Sequence, residues 1–280
     1  MIDPCFNRFD GKHWLARTLP GESPRIPAPA GEEYEFFANV VRVGLGREGI
    51  VAIINARGGN HQIGGDYRYE WLVEKAGQVE KERRVRLENL GRFFYDSERE
   101  IWVVKGQEID TPDATLLVYG TPYGENLDEG NFEQVLEEAR KKGAIPGISR
   151  IKSPTKVLEH LPELAFIVTY KGTRIGMRNP NRKEERLWYE ELSKRSEVGA
   201  IAVSGGYDLT YRNQYPIIGR CNSSLEFDTE NKGNFLTNLE SALRKATPNW
   251  QEQNPIYSGV LRHAARMTLD RLRGKHNPRK

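Results

Sequence analysis

Trp102-Val-Val-Lys-Gly-Gln-Glu108-Ile-Asp-Thr-Pro-Asp-Ala-Thr-Leu-Leu-Val-Tyr-Gly120 is the stretch on which the fold turns. Its pattern predicts two strands joined by a turn, with one glutamate held just past the end of the first. Residues 101–104 form a short apolar run, which Gly106 is expected to break before Glu108. Asp110-Thr-Pro-Asp113 supplies turn chemistry, and residues 115–119 form a second buried run. Working outward, residues 131–142 have helical spacing, and residues 143–149 return as a strand.

The same alternation extends both ways. Upstream, Tyr34, Phe37, Val40, Val41 and Leu45 lie on one stripe of a helix over 32–45. Gly49-Ile-Val-Ala-Ile-Ile54 is a continuous apolar run, as a strand buried on both faces requires. Gly58-Gly59 and Gly64-Gly65 then mark a loop. Residues 67–90 are expected to be helical, and 93–95 with 101–104 to form a hairpin around Asp96-Ser-Glu-Arg99. Downstream come a short helix over 154–161, a strand over 165–170, and a helix over 179–195 with Pro180 near its first turn. A strand over 198–204, a helix over 233–246 and a last helix over 256–273 complete the order. Strands separated by helices imply a mostly parallel α/β sheet with right-handed crossovers.

No internal repeat or clean linker divides the chain, so the expectation is one domain with three parts. Residues 1–31 read as an irregular N-terminal segment, since Pro20, Pro24, Pro27 and Pro29 forbid a long helix. Residues 32–247 read as the α/β barrel. Residues 248–280 read as a basic amphipathic helix docked on it, whose last nineteen residues set Arg262, Arg266, Arg271, Arg273, Lys275, Arg279 and Lys280 against one acid, Asp270. That basic face is either a solvated surface or a phosphate-seeking one.

Composition narrows the classes. With 38% hydrophobic and 29% charged residues and a net charge of +3, the 280-residue chain reads as a polar globular protein. It contains no run of ~18 apolar residues of the kind that spans a bilayer, so no membrane partner is expected. The opening Met-Ile-Asp-Pro-Cys lacks the basic and apolar regions of a secretory signal. Two cysteines, Cys5 and Cys221, are too few for a disulfide framework or a cysteine zinc site. A cytoplasmic protein with reduced thiols is expected.

The strand–Gly106-Gln-Glu108–turn–strand unit, followed by the helix and strand over 131–149, resembles the middle of the PHP (polymerase and histidinol phosphatase) family. The resemblance runs over roughly residues 12–246. It implies a distorted (β/α)7 barrel of mostly parallel strands, with metal ligands at strand ends and metal-dependent hydrolysis of phosphate esters. Metals suit that reaction because they polarise the phosphoryl group and generate hydroxide at neutral pH. Laid against the family's motifs, this chain keeps the Gly-x-Glu as Gly106-Gln-Glu108. Elsewhere the ligands are replaced. The opening His-x-His-Thr falls on Leu15-Ala-Arg17-Thr18, and the Thr-Asp-His on Asn55-Ala56-Arg57. The histidine after the strand near Ile148 becomes Ser149-Arg150, and the Ser-Asp-x-His becomes Ser204-Gly205-Gly206-Tyr207.

One glutamate cannot hold a bimetal cluster, because each metal needs several protein ligands. Arginines at ligand positions oppose cations and favour an anion. The primary expectation is therefore a degenerate PHP-like domain with no metal cofactor. It would bind a phosphate-bearing small molecule or nucleic acid through Arg17, Asn55, Arg57, Glu108, Ser149, Arg150, Ser204 and Tyr207. The bland reading is that each arginine faces solvent or pairs with a carboxylate such as Glu108. A second expectation is a divergent phosphoesterase holding zinc or manganese with His13, His61, Asp66, Glu108 and Asp208. Glu108 is the best single catalytic candidate. A third is a structural or regulatory barrel. No dinucleotide, Walker A or nucleophile-elbow motif is present: Gly58-Gly-Asn60 and Gly64-Gly65 lack the Lys-Ser/Thr, and Ser204 lacks the flanking pattern.

Overall fold

The computed structural model describes residues 2–6, Tyr34, Ala38 and Val41, 49–56, 68–83, 87–88, 91–171, Glu191 and Lys194, 198–203, 221–226 and 234–250. These residues build one eleven-stranded sheet. Its strands are β1 (Ile2–Phe6), β2 (Gly49–Ala56), β3 (Leu87–Glu88), β4 (Phe93–Asp96), β5 (Ile101–Asp110), β6 (Ala114–Tyr119), β7 (Ile145–Ile151), β8 (Phe166–Lys171), β9 (Gly199–Val203), β10 (Cys221–Ser224) and β11 (Thr247–Trp250). The α-helices include α1 (Arg68–Arg83), α2 (Phe132–Lys141), α3 (Pro154–Glu159) and α4 (Phe235–Arg244).

The main path is β11-β10-β1-β2-β5-β6-β7-β8-β9, with the β3–β4 ribbon attached to β5. Two parallel blocks, β1-β2-β5 and β7-β8-β9, are joined through the antiparallel strand β6. Seven of the nine path strands share one direction, and only β6 and β10 are reversed. The sheet curls until β9 lies against β10 and β11. The architecture is mixed α/β with a curled sheet whose strands run mostly one way.

Every described residue of the apolar runs that define the expected core is buried, because helices or a second layer cover both faces. On β2, Ile50, Ala52 and Ile54 join an inner cluster with Trp102, Val104, Leu117, Tyr119, Phe166 and Ile201. Val51 and Ile53 turn the other way, packing with Val103, Phe94 and the α1 residues Tyr69, Leu72, Val73 and Ala76. Tyr34, Ala38 and Val41 are helical and complete that outer cluster. A second outer cluster joins Leu116, Val118 and Ile148 to α2. Helix α2 starts at a capping box, in which Asn131 Oδ1 accepts from the Gln134 amide at 2.9 Å and Gln134 Oε1 from the Asn131 amide at 3.1 Å.

Helix α4 closes the inner cluster at the amino ends of the parallel strands. Phe235 stacks on Trp102 at 4.3 Å and on Phe93 at 4.2 Å between ring centroids. The fit is close enough that a Cβ on Gly199, at the start of β9, would lie 1.7 Å from the Leu243 carbonyl oxygen.

Four expectations are corrected. Residues 1–31 are not wholly irregular: β1 pairs in parallel with β2. Its register shifts between Asp3 and Phe6, around Pro4, and a bulge is where a strand tolerates a missing N–H. The helix expected over 67–90 ends at Arg83 and gives way to β3. Gly106 does not break β5, which continues to Asp110 and carries Glu108 within the ladder rather than beyond it. Finally, residues 248–250 belong to strand β11, and its partner β10 was not anticipated. The expected helices over 179–195 (apart from Glu191, which is helical) and 256–273 lie outside the described residues, as does the basic C-terminal segment.

Candidate functional site at the carboxyl ends of β5 and β7

Strand alternation decides which polar groups meet. Glu108 pairs with Leu117, a member of the inner cluster, so Glu108 and Asp110 occupy inner-face positions. On β7 the ladder slips: Thr115 pairs with Arg150 while Leu116 pairs with Ile148, leaving Ser149 as the extra residue. Such a bulge re-aims side chains. Here it brings both Ser149 and Arg150 to inner-face positions, while Ile148 and Ile151 remain in the outer cluster.

The result is a mixed polar group at one strand-end face. Ser149 is buried, and its Oγ lies 3.5 Å from Glu108 Oε1 and 3.3 Å from the Thr115 carbonyl oxygen. Both contacts are long for a hydroxyl donor. Glu108 is half-buried and Arg150 is exposed. Beside them, Asp110 Oδ1 accepts from Thr115 Oγ1 at 2.7 Å and sits 2.6 Å from Lys152 Nζ, which also donates to the Thr111 carbonyl at 2.6 Å. Partial burial raises the Asp110 carboxyl. The bonds from Lys152 and Thr115 and the charges of Lys152 and Arg150 together outweigh it, holding the group below its ordinary range.

Asn55 lies elsewhere. It stands on the outer face, where its Oδ1 accepts from the Tyr69 amide at 3.0 Å and so caps the start of α1. Its Nδ2 donates to Glu70 Oε2 at 3.0 Å and to Asn126 Oδ1 at 3.3 Å. The structure thus brings together Glu108, Ser149 and Arg150 and sets Asn55 apart from them. Arg17, Arg57, Ser204, Tyr207, His13, His61, Asp66 and Asp208 lie outside the described residues.

A second polar group was missed from sequence. Lys105, fully buried on β5, donates from Nζ to Glu70 Oε1 at 2.5 Å, to the Pro122 carbonyl at 2.7 Å and to the Glu125 carbonyl. Gln107, two residues on, holds Leu127 through both its amide atoms, at 3.0 and 2.7 Å. Burial pushes the Lys105 ammonium below the ordinary lysine range, and Glu70 offsets this only in part. The available signal was a lysine and a glutamine two apart, directly after the apolar run 101–104, since buried polar groups demand partners.

Among the described residues, no three of His, Cys, Asp and Glu cluster as a metal site, and no helix is long and apolar enough to cross a membrane. A shallow cleft of about 360 Å³, lined by Arg140, Ile145, Glu163, Leu236 and Glu240, lies at the amino end of β7, away from Glu108.

No protein-family model matches the chain, and no curated protein matches it. Among solved structures, the chain is similar to a two-domain protein containing a predicted PHP-like metal-dependent phosphoesterase from Bacteroides vulgatus. The identity is 14% and the TM-score 0.43, over 72% of this chain and 56% of that one. This chain thus spans little more than half of that neighbour. A likeness of this degree carries no argument about chemistry, which rests on the chain's own residues.

Proposed function

We propose that the inner face at the carboxyl ends of β5 and β7 binds a phosphate-bearing ligand, and that the chain is a degenerate PHP-like (β/α)7 domain without metal-dependent hydrolysis. The observation carrying this reading is the β7 bulge, which puts both Ser149 and Arg150 at inner-face positions, with the Ser149 hydroxyl 3.5 Å from Glu108. Arginine and hydroxyl donors suit phosphate oxygens. Glu108 then orients a donor rather than ligating a metal. Arg17, Arg57, Ser204 and Tyr207 would complete the pocket, and nucleic acid is the larger ligand of the same chemistry.

A divergent phosphoesterase is the second reading. Glu108 and Asp110 favour it, as carboxylates two apart on one strand face, with His13, His61, Asp66 and Asp208 as further ligands for zinc or manganese.

Calorimetric titration with inorganic phosphate and with an oligoribonucleotide, beside elemental analysis, separates the readings. The first expects no stoichiometric metal, and binding that chelator leaves intact. Binding weakened by about 1.5–3 kcal/mol in Arg150→Ala is also expected, the range for hydrogen bonds to charged groups. Bound zinc or manganese with chelator-sensitive phosphodiester hydrolysis would establish the second. Absence of binding to every phosphate probe would leave a structural or regulatory barrel.

A further inference from the structure

We propose that the segment after β6 is an oxygen cage folded around a cation the chain supplies itself, the Lys105 ammonium, and that this cation fixes the position of residues 120–127. The cage needs no ligand at the strand ends.

The geometry is that of a small cation site. The Glu70 carboxylate and the Pro122 and Glu125 carbonyls converge on Nζ, one acceptor for each N–H of an ammonium. A neutral amine lacks the third donor. The cage is tied down on every side. Glu70 Oε1 also accepts from the Gly124 amide at 3.0 Å, and Glu70 Oε2 from Asn55. Asn126 Oδ1 accepts from Asn55, and the Glu125 carboxylate meets Lys142 Nζ at 2.9 Å. Gly120 and Gly124 adopt φ values of 75° and 73°, which let the chain turn its carbonyls inward.

Apolar packing adds little here: Tyr123 is exposed, and Leu127, which Gln107 also holds, is the segment's one buried aliphatic residue. Carbonyls pointed at one spot repel each other unless a positive charge lies between them, so the loop's shape needs the cation. Because Glu70 and Tyr69 lie in the first turn of α1 and Asn55 lies near the end of β2, the cage also ties α1 to β2.

Hydrogen exchange of the full chain tests this by chemical rescue. Lys105→Ala should speed exchange of the 120–127 amides by about tenfold or more while α2 and α4 keep their protection. Propylammonium chloride, which reproduces Cγ, Cδ, Cε and Nζ, should restore protection, whereas n-propanol at the same concentration should not. Rescue by both compounds or by neither, or a loop unaffected by the substitution, would overturn the proposal. Should Lys105→Ala fail to fold, Lys105→Met retains the volume without the charge. Loss of loop protection in that variant supports the cage, and native protection refutes it.

Discussion

Single residues in this chain reveal their roles through their partners. The Tyr34 hydroxyl donates to Asp96 Oδ2 at 2.7 Å in a fully buried setting, and Asp96 also accepts from Arg99 and from the Glu98 and Arg99 amides. Tyr34→Phe leaves Asp96 with those partners, so the expected loss is about 1 kcal/mol, the net value of one hydrogen bond. Burial, then the charge and bond of Asp96, raise the Tyr34 hydroxyl well above its ordinary value. A group with a raised folded pKa contributes stability that is whole below the unfolded pKa, about 10 for tyrosine, and lost as pH climbs through the folded one. Stability of the native chain should therefore fall with pH above about 10, and less steeply in Tyr34→Phe. Denaturant midpoints across that range measure it; equal slopes would disprove the link.

At the scale of elements, tight contacts fix how layers meet. A Cβ on Gly106 would lie 2.5 Å from Ile54 Cδ1 and 3.2 Å from Tyr119 Cδ1, both side-chain atoms able to shift. On Gly199 it would meet backbone, the Leu243 carbonyl, at 1.7 Å. Gly106→Ala should cost about 1–3 kcal/mol as an overpacking change, and Gly199→Ala more, since α4 must move off β9. Thermal unfolding of the two variants gives the order. Asn131→Ala, which removes the α2 capping box, should cost about 1 kcal/mol. These elements were readable because their determinants are local. The Asn131–Gln134 pair, the Asp96 turn and the Thr111-Pro-Asp turn between β5 and β6 each act within a few residues of chain. The end of α1 was not readable: the charged sequence after Arg83 suits a solvated helix, and only pairing with β4 makes Leu87 and Glu88 a strand.

For the whole molecule, the aromatic plug under the sheet is the main test of cooperativity. Phe235 is buried against Trp102 and Phe93, which belong to β5 and the β3–β4 ribbon far away in sequence. Phe235→Ala should cost about 3–5 kcal/mol and shift unfolding of the entire inner cluster together. Tryptophan fluorescence and far-UV dichroism should report one common midpoint; separate midpoints would show that α4 is an independent appendage. If nucleic acid is the ligand, its affinity should drop steeply between about 50 and 200 mM salt, as counterion release requires, and drop further on deleting residues 274–280.

What the sequence determined by itself is the set of buried runs, the caps, the turns and the predominance of strands running one way. Each follows from periodicity and from the backbone preferences of nearby residues. Tertiary structure alone decided three things. It recruited polar or proline-bearing segments as β1, β10 and β11, because ladder pairing supplies what local propensity lacks. It set sidedness: one extra residue in β7 joins Ser149 and Arg150 to Glu108, while unbroken alternation in β2 sends Asn55 to the opposite face. And it made Lys105 tolerable in a buried strand by folding a distant glutamate and two carbonyls around it. Period-two alternation is fixed only once the register is known, and register is a property of two strands together.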